Sequence, residues 1–91
     1  MVTGAELARL LEIYRALWPG GTLPSTGVEL AVWQTMLGGA SREEAAKALY
    51  KLARSGERFA PPIGLIAKTV EETRYVERKM AEIFGGHDGA G

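Results

Sequence analysis

The fold is decided by residues 3–21, Thr3-Gly-Ala-Glu-Leu-Ala-Arg-Leu-Leu-Glu-Ile-Tyr-Arg-Ala-Leu-Trp-Pro-Gly-Gly21. Thr3 with Glu6 three residues later is a capping box, in which each residue satisfies a free backbone amide at a helix start. Apolar residues then recur at i, i+3, i+4 and i+7, the spacing of one buried helix face: Leu7, Leu10, Leu11, Tyr14, Leu17 and Trp18. Pro19-Gly20-Gly21 cannot continue a helix. The stretch therefore predicts an amphipathic helix from about Gly4 to Trp18.

The same pattern of cap, helix and glycine stop follows twice more. Thr26-x-x-Glu29 predicts a helix over 27–37, and Ser41-x-x-Glu44 predicts another that ends at Ser55-Gly56. The second helix has an apolar face of Leu30, Trp33 and Leu37, with Val32 and Met36 beside it, and the third has Ala45, Ala48, Leu49 and Leu52. We therefore expect each of these helices to bury that face in a helical bundle.

A proline-containing connector leads into a fourth helix. Pro61 and Pro62 stiffen residues 57–62, and we expect Phe59 to plug this connector onto the helices. Pro62 suits the first turn of a helix to about Phe84, whose inward side is Ile63, Ile66, Val70 and Thr73. Charged residues dominate its second half, leaving a thin apolar stripe of Val76, Met80, Ile83 and Phe84. We expect this half to protrude or to pack loosely.

The apolar periods are helical throughout, and β-branched residues are scattered singly. The prediction is an all-α, single-domain bundle of about four helices over residues 1–84, followed by a flexible Gly-rich tail over 85–91. A chain of 91 residues supports one modest core and no second domain.

Composition excludes several classes of protein. The chain has 11 Lys plus Arg, 11 Asp plus Glu, one His and no Cys, which rules out disulfides, thiolate metal sites and a Cys nucleophile. Zero net charge argues against broad capture of nucleic acid or anionic lipid. Apolar runs are too short to span a membrane, and the N-terminus lacks a signal-peptide pattern, so we expect a cytoplasmic protein, in the host cytoplasm if phage-encoded.

Residues suited to catalysis are few. His87 and Asp88 lie in the predicted tail, where nothing rigid would hold them against a base or a metal. The adjacent pairs Glu43/Glu44 and Glu71/Glu72 diverge around a helix and cannot share a proton. None of the Gly-Gly pairs has phosphate-loop spacing. We predict no enzyme activity, no cofactor and no metal.

Two sets of side chains are candidate partner contacts. Lys47, Lys51, Arg54 and Arg58 recur at i, i+4, i+7 and i+11, which places four cations on one stripe opposite the Ala/Leu face. An ordinary solvated face is the alternative interpretation, since cations stabilise a helix C-terminus. On the charged half-helix the candidates are Arg74, Tyr75, Arg78 and Lys79. We assign Trp18 and Trp33 to core packing.

Three features together resemble a known family. They are the first helix with its aromatic-Pro end, a second helix carrying Trp33-x-x-x-Leu37, and Phe59-Ala-Pro-Pro-Ile-Gly-Leu-Ile66 after a short Ala/Leu helix. Over roughly residues 5–75 the chain resembles the bacteriophage replicative-helicase loader and inhibitor family, although Ala60 is inserted before the prolines. The resemblance implies a non-enzymatic adaptor that binds a hexameric replicative helicase, inhibits it, and passes it to an origin-bound phage initiator. It identifies no individual contact residue.

Two other functions stay open on the residues alone. One is a small helical DNA-binding module that uses the cations of the third helix, and the other is a phage structural connector that oligomerises through the charged helix. The absence of Asn, with Gln34 as the one Gln, disfavours base-specific contacts. The same shortage of amides fits either a thermophilic source or a GC-rich mesophile.

Overall fold

The computed structural model describes residues 2–85, and within that range it contains four α-helices and no strand. The helices are α1 (Gly4–Leu17), α2 (Gly27–Leu37), α3 (Arg42–Arg54) and α4 (Ile63–Met80), and α4 runs on into a π-helical turn over Ala81–Gly85. The all-α prediction of about four helices is therefore confirmed. Met1 and residues 86–91 lie outside the described residues, and with them His87, Asp88 and most of the predicted tail.

The helix starts follow the predicted caps closely. Thr3 and Ser41 each form a complete capping box, with the Glu44 Oε1 atom 2.9 Å from the Ser41 amide. At α2 only half of the box forms, because Glu29 accepts the Thr26 hydroxyl proton instead of the Thr26 amide proton. Pro62, predicted in the first turn of the fourth helix, is instead its N-cap, one position before α4 begins at Ile63. The caps thus place all four starts to within one residue.

The core lies between α1, α3 and α4. It is built from the predicted faces of these helices: Leu7, Leu10, Tyr14, Trp18, Ala45, Ala48, Leu49, Leu52, Ile66 and Val70. Val2, Ala40, Pro61 and Thr69 are buried as well, which helical periodicity did not indicate. Trp18 belongs to the core as expected, and the Tyr14 ring lies between Trp18 and Trp33, with centroids 5.5 and 5.2 Å away.

Helix α2 is buried less than its sequence suggests. Leu37 is its buried residue, and Leu30 and Trp33 are half-buried against the core. Val28, Val32 and Met36, which follow one another at intervals of four, form an exposed stripe on its outer side. Helix α2 thus carries apolar residues on more than one side, and the neighbouring helices cover only one of these sides.

The connector departs from the prediction for Phe59. Its side chain is 84% exposed, so the expected plug is wrong. Pro61 is the buried residue of the connector instead. The connector is attached to α1 by two hydrogen bonds: the Tyr14 hydroxyl donates to the Pro61 carbonyl at 2.8 Å, and the Trp18 indole donates to the Glu57 carbonyl at 2.9 Å. Burial raises the pKa of the Tyr14 phenol above its usual value of 10.0, so the hydroxyl keeps its proton and can donate well above neutral pH. Phe59 lies between these two attachments and faces solvent.

The second half of α4 extends beyond the core. Val76, Met80, Ile83 and Phe84 are all at least half exposed. The molecule measures 52 × 27 × 18 Å, and its radius of gyration of 15.0 Å exceeds the roughly 12 Å expected for a globular chain of this length. The expectation that the charged half-helix protrudes or packs loosely is therefore confirmed.

A threonine pair on α4 supplies a stability test. The Thr73 hydroxyl is buried without a hydrogen-bond partner, whereas the Thr69 hydroxyl donates to the Leu65 carbonyl at 2.8 Å. An unsatisfied buried hydroxyl costs about 1–3 kcal/mol, and Val has nearly the same shape as Thr. We expect Thr73→Val to raise the free energy of unfolding by about 1 kcal/mol in urea denaturation. Thr69→Val is the matched control and should give no comparable gain; equal gains would contradict the assignment.

Candidate partner-binding surface

The packing of α3 against α4 brings the two predicted sets of contact residues together. One open groove, about 670 Å³ in volume, is lined by Lys51 of α3 and by residues of α4: Glu71, Glu72, Arg74, Tyr75, Val76 and Arg78. A second depression next to it is lined by Lys47, Tyr50, Lys51 and Arg54. Lys51 lines both, so they form one continuous region. We call these residues, with Glu77 and Lys79, the α3–α4 surface.

Arg74 holds this surface in shape. Its guanidinium binds both carboxylate oxygens of Glu44, with Nη2 2.7 Å from Oε1, and Nη2 also donates to the Gly39 carbonyl at 2.9 Å. Glu44 at the same time caps α3 through the Ser41 amide. Arg74 thus links α4 to the start of α3 and to the turn after α2. Its Nε and Nη2 donors are used within the chain, and the partner contact predicted for it stays a prediction.

The Glu44–Arg74 pair makes the stability depend on pH. The Arg74 guanidinium, followed by the Ser41 amide, lowers the pKa of the Glu44 carboxyl from 4.5 to about 2. Because the pKa is lower in the folded state, the stabilisation is complete above pH 4.5 and is lost as the pH falls towards about 2. The Arg74 and Glu44 side chains are 40% and 31% exposed, so solvent screening keeps the effect small.

We therefore expect Arg74→Met to lower the melting midpoint by a few degrees at pH 7. The difference from the wild type should shrink between pH 4.5 and about 2, leaving the share due to the Gly39 carbonyl. Arg78→Met, which removes a cation without an ion pair among the described residues, is the control. Melting curves recorded across this pH range measure both variants; a constant difference down to pH 2 would contradict the prediction.

Other cations of the α3–α4 surface make weaker contacts. Lys47 pairs with Glu77 at 3.4 Å, and both side chains are more than half exposed. Lys79 pairs with Glu82 at 3.3 Å, and its ammonium lies 5.6 Å from the centre of the Tyr75 ring. Exposed pairs of this kind contribute little stability, so a partner can displace them readily.

Arg58 does not belong to the cationic stripe. Helix α3 ends at Arg54, and Gly56 turns the chain with a φ of 92°, which only glycine adopts without strain. Arg58 therefore lies in the connector, away from the continuation of the helix that its spacing implied. The predicted stripe is correct for Lys47, Lys51 and Arg54.

Three cations and two tyrosines are the groups best placed to bind. Lys51, Arg54 and Arg78 are exposed and form no ion pair within residues 2–85. Tyr50 and Tyr75 are 51% and 57% exposed. Tyr50 was not among the contact residues predicted from the sequence. It lies three residues after Lys47 and four before Arg54, a spacing that places all three on the same side of the helix. Such a surface can pair with carboxylates or phosphates and pack a flat group against a ring.

Comparison with known proteins identifies no relative. The sequence matches no model of a protein family, no curated protein and no solved structure. Within the described part of the chain, no cluster of three or more His, Asp or Glu side chains is arranged to hold a metal ion. No helix in that part has the length and apolar character needed to cross a bilayer.

Proposed function

We propose that the protein is a non-enzymatic adaptor that docks on a hexameric replicative helicase, inhibits it, and assists its loading at a phage replication origin. The observation that carries this proposal is the α3–α4 surface, where exposed cations and tyrosines from two helices lie around one open groove. Tyr and Arg are the residue types that contribute most to protein–protein binding.

The mixed charge of this surface favours a protein partner. Glu71 and Glu72 line the groove together with Lys51 and Arg78, and Glu77 pairs with Lys47 beside it. These carboxylates would repel a phosphate backbone, whereas a protein surface can present both signs of charge in complementary positions. Zero net charge over the chain points the same way.

The choice of a replicative helicase depends on the resemblance of residues 59–66 and of the Trp33-x-x-x-Leu37 helix to helicase loaders and inhibitors. An origin-bound initiator is the second partner that this resemblance implies. The adaptor role requires only binding, and the helicase supplies the ATPase.

Charge reversal on α3 tests the proposal. We expect Lys51→Glu with Arg54→Glu to lower the affinity for a purified hexameric helicase by about tenfold or more, since like charges across an interface cost several kcal/mol. The melting midpoint should fall by no more than a few degrees, because both side chains are exposed and the change removes only their favourable interaction with the C-terminus of α3. Isothermal titration calorimetry with the wild type and the variant measures the affinities.

The matched control is Arg9→Glu with Arg15→Glu. It makes the same change in net charge on the exposed side of α1, outside the α3–α4 surface. The control should bind as the wild type does. Equal loss in both double variants would indicate a general charge effect, and unchanged binding of the α3 variant would show that this surface is not the contact.

A DNA-binding module is the second candidate, favoured by Lys47, Lys51 and Arg54 with Tyr50 among them. Cations interleaved with exposed rings suit single strands, whose bases stack on aromatic side chains. Titration of single-strand and duplex DNA at two salt concentrations distinguishes the candidates. DNA affinity that falls steeply with salt, without helicase binding, would favour this second function.

A further inference from the structure

Phe59 is the most exposed large apolar side chain among the described residues, at 84%. Exposing an aromatic ring forgoes roughly 1.5–3 kcal/mol of burial free energy. The exposed position of the ring therefore lowers the stability of the free protein. The core next to it is already filled by Pro61, Trp18 and Tyr14.

The backbone around Phe59 is held on both sides. Two residues before it, the Glu57 carbonyl accepts a hydrogen bond from the buried Trp18 indole, and two residues after it, the Pro61 carbonyl accepts one from the buried Tyr14 hydroxyl. Pro61 and Pro62 restrict φ in the same segment. Ala60 packs against Gly21 so closely that a Cβ on Gly21 would lie 2.5 Å from the Ala60 Cβ.

Such attachment matters for binding because ordering a flexible loop at an interface reduces affinity. A ring presented by an already ordered segment avoids most of that loss. Tyr14 and Trp18 thus do more than fill the core, since their polar atoms hold the connector in the conformation that exposes Phe59.

The surroundings of Phe59 indicate the chemistry of its partner. The ring borders a depression of about 380 Å³ that Leu17, Trp18, Pro19 and Gly20 line together with Glu57 and Arg58. Arg58, next to it, is exposed and forms no ion pair within residues 2–85. Glu57, which lines the same depression, is also exposed and without an ion pair in that part of the chain. An aromatic ring accompanied by one cation and one carboxylate is complementary to an apolar pocket whose rim carries both signs of charge, with a carboxylate facing Arg58.

We infer that Phe59 is an anchor that inserts into an apolar pocket on the protein partner, with Arg58 pairing with a carboxylate at the rim of that pocket. This contact lies in the connector, apart from the α3–α4 surface, and the inference rests on the proposed function. A protein pocket suits these residues better than a bilayer does, because membrane binding scales with buried apolar area and basic charge, and one ring with one cation provides little of either.

Substitution of Phe59 separates binding from folding. We expect Phe59→Ala to lower the affinity for the purified hexameric helicase at least tenfold, with an unchanged circular dichroism spectrum and melting midpoint. Phe59→Leu should keep part of the affinity, and Arg58→Glu should lower it several-fold in a salt-dependent way. Phe84→Ala removes another exposed ring, from the end of α4, and should bind as the wild type does.

The outcomes are distinct. If the wild type does not bind the helicase, the proposed function and this inference both fail. If the wild type binds and Phe59→Ala binds equally well, the inference alone fails. It fails too if Phe84→Ala weakens binding as much, or if Phe59→Ala melts at a clearly lower temperature.

Sedimentation of the free protein, alone and with anionic vesicles, tests the two other occupants. If Phe59→Ala keeps its helicase binding but loses self-association, the ring contacts a second copy of the chain. If it keeps helicase binding but loses vesicle binding, the ring contacts a membrane.

Discussion

Replacing Leu49 by Ala should lower the free energy of unfolding by about 2–5 kcal/mol. Leu49 is 2% exposed and lies where all four helices meet. With it, a small cavity of about 10 Å³ is lined by residues of each helix: Leu10, Trp33, Leu37, Ala45 and Ile66. Removing the side chain enlarges this void at the centre of the packing, where no single helix can move in to fill it.

Small domains have total stabilities of about 5–15 kcal/mol, so this loss should lower the melting midpoint by about 10 °C or more. Urea denaturation followed by tryptophan fluorescence measures it, since Trp18 and Trp33 contact the core. Val28→Ala, at a side chain that is 76% exposed, is the control and should change stability by less than about 0.5 kcal/mol. A loss below about 1 kcal/mol for Leu49→Ala would contradict this account of the core.

Gly21→Ala is expected to cost about 1–3 kcal/mol, because it forces a methyl group into a closely packed contact. The added Cβ would lie 2.5 Å from the Ala60 Cβ and 3.2 Å from the Trp18 carbonyl oxygen. A Cβ cannot rotate out of the way, and the connector cannot retreat without breaking the hydrogen bond from Tyr14 to the Pro61 carbonyl. The loop after α1 and the connector must therefore separate or strain.

Two further variants make this prediction specific to the contact. Gly20→Ala adds the same methyl group one residue earlier, where nothing lies within 4 Å, and should not destabilise the fold. Adding Ala60→Gly to Gly21→Ala removes the clashing atom and should recover most of the loss. Melting midpoints of the variants give the answer; failure of the double variant to recover stability would show that the cost arises elsewhere.

Local signals account for most of the fold. Capping boxes at Thr3 and Ser41, and glycine stops such as Gly56, mark where helices begin and end because they act within a few residues. The thin apolar stripe of the second half of α4 likewise indicated that this half would leave the core. Burial in α2 was harder to judge, because apolar residues surround the helix and its periodicity does not say which side is covered.

Contacts between distant residues account for what the sequence did not reveal. Phe59 faces outward because Tyr14 and Trp18, 47 and 39 residues away from their acceptors, bind the connector on either side of it. Arg74 and Glu44 meet across 30 residues. Residue spacing within each helix predicted the contact residues on α3 and those on α4 separately. That the two sets lie side by side follows from the packing of α3 against α4, which spacing within one helix does not show.

The protruding end of α4 has a mechanical consequence. Arg74 fastens the helix to the start of α3, and ten further residues lead to Phe84, a length of about 15 Å at the rise of an α-helix. A tilt of about 10° at Arg74 moves the far end by about 3 Å. The helix is thus a lever held to α3 by the Arg74–Glu44 pair and, more weakly, by the exposed Lys47–Glu77 pair. A ligand that shifts α4 slightly at the groove therefore displaces its tip by a distance comparable to an atomic contact.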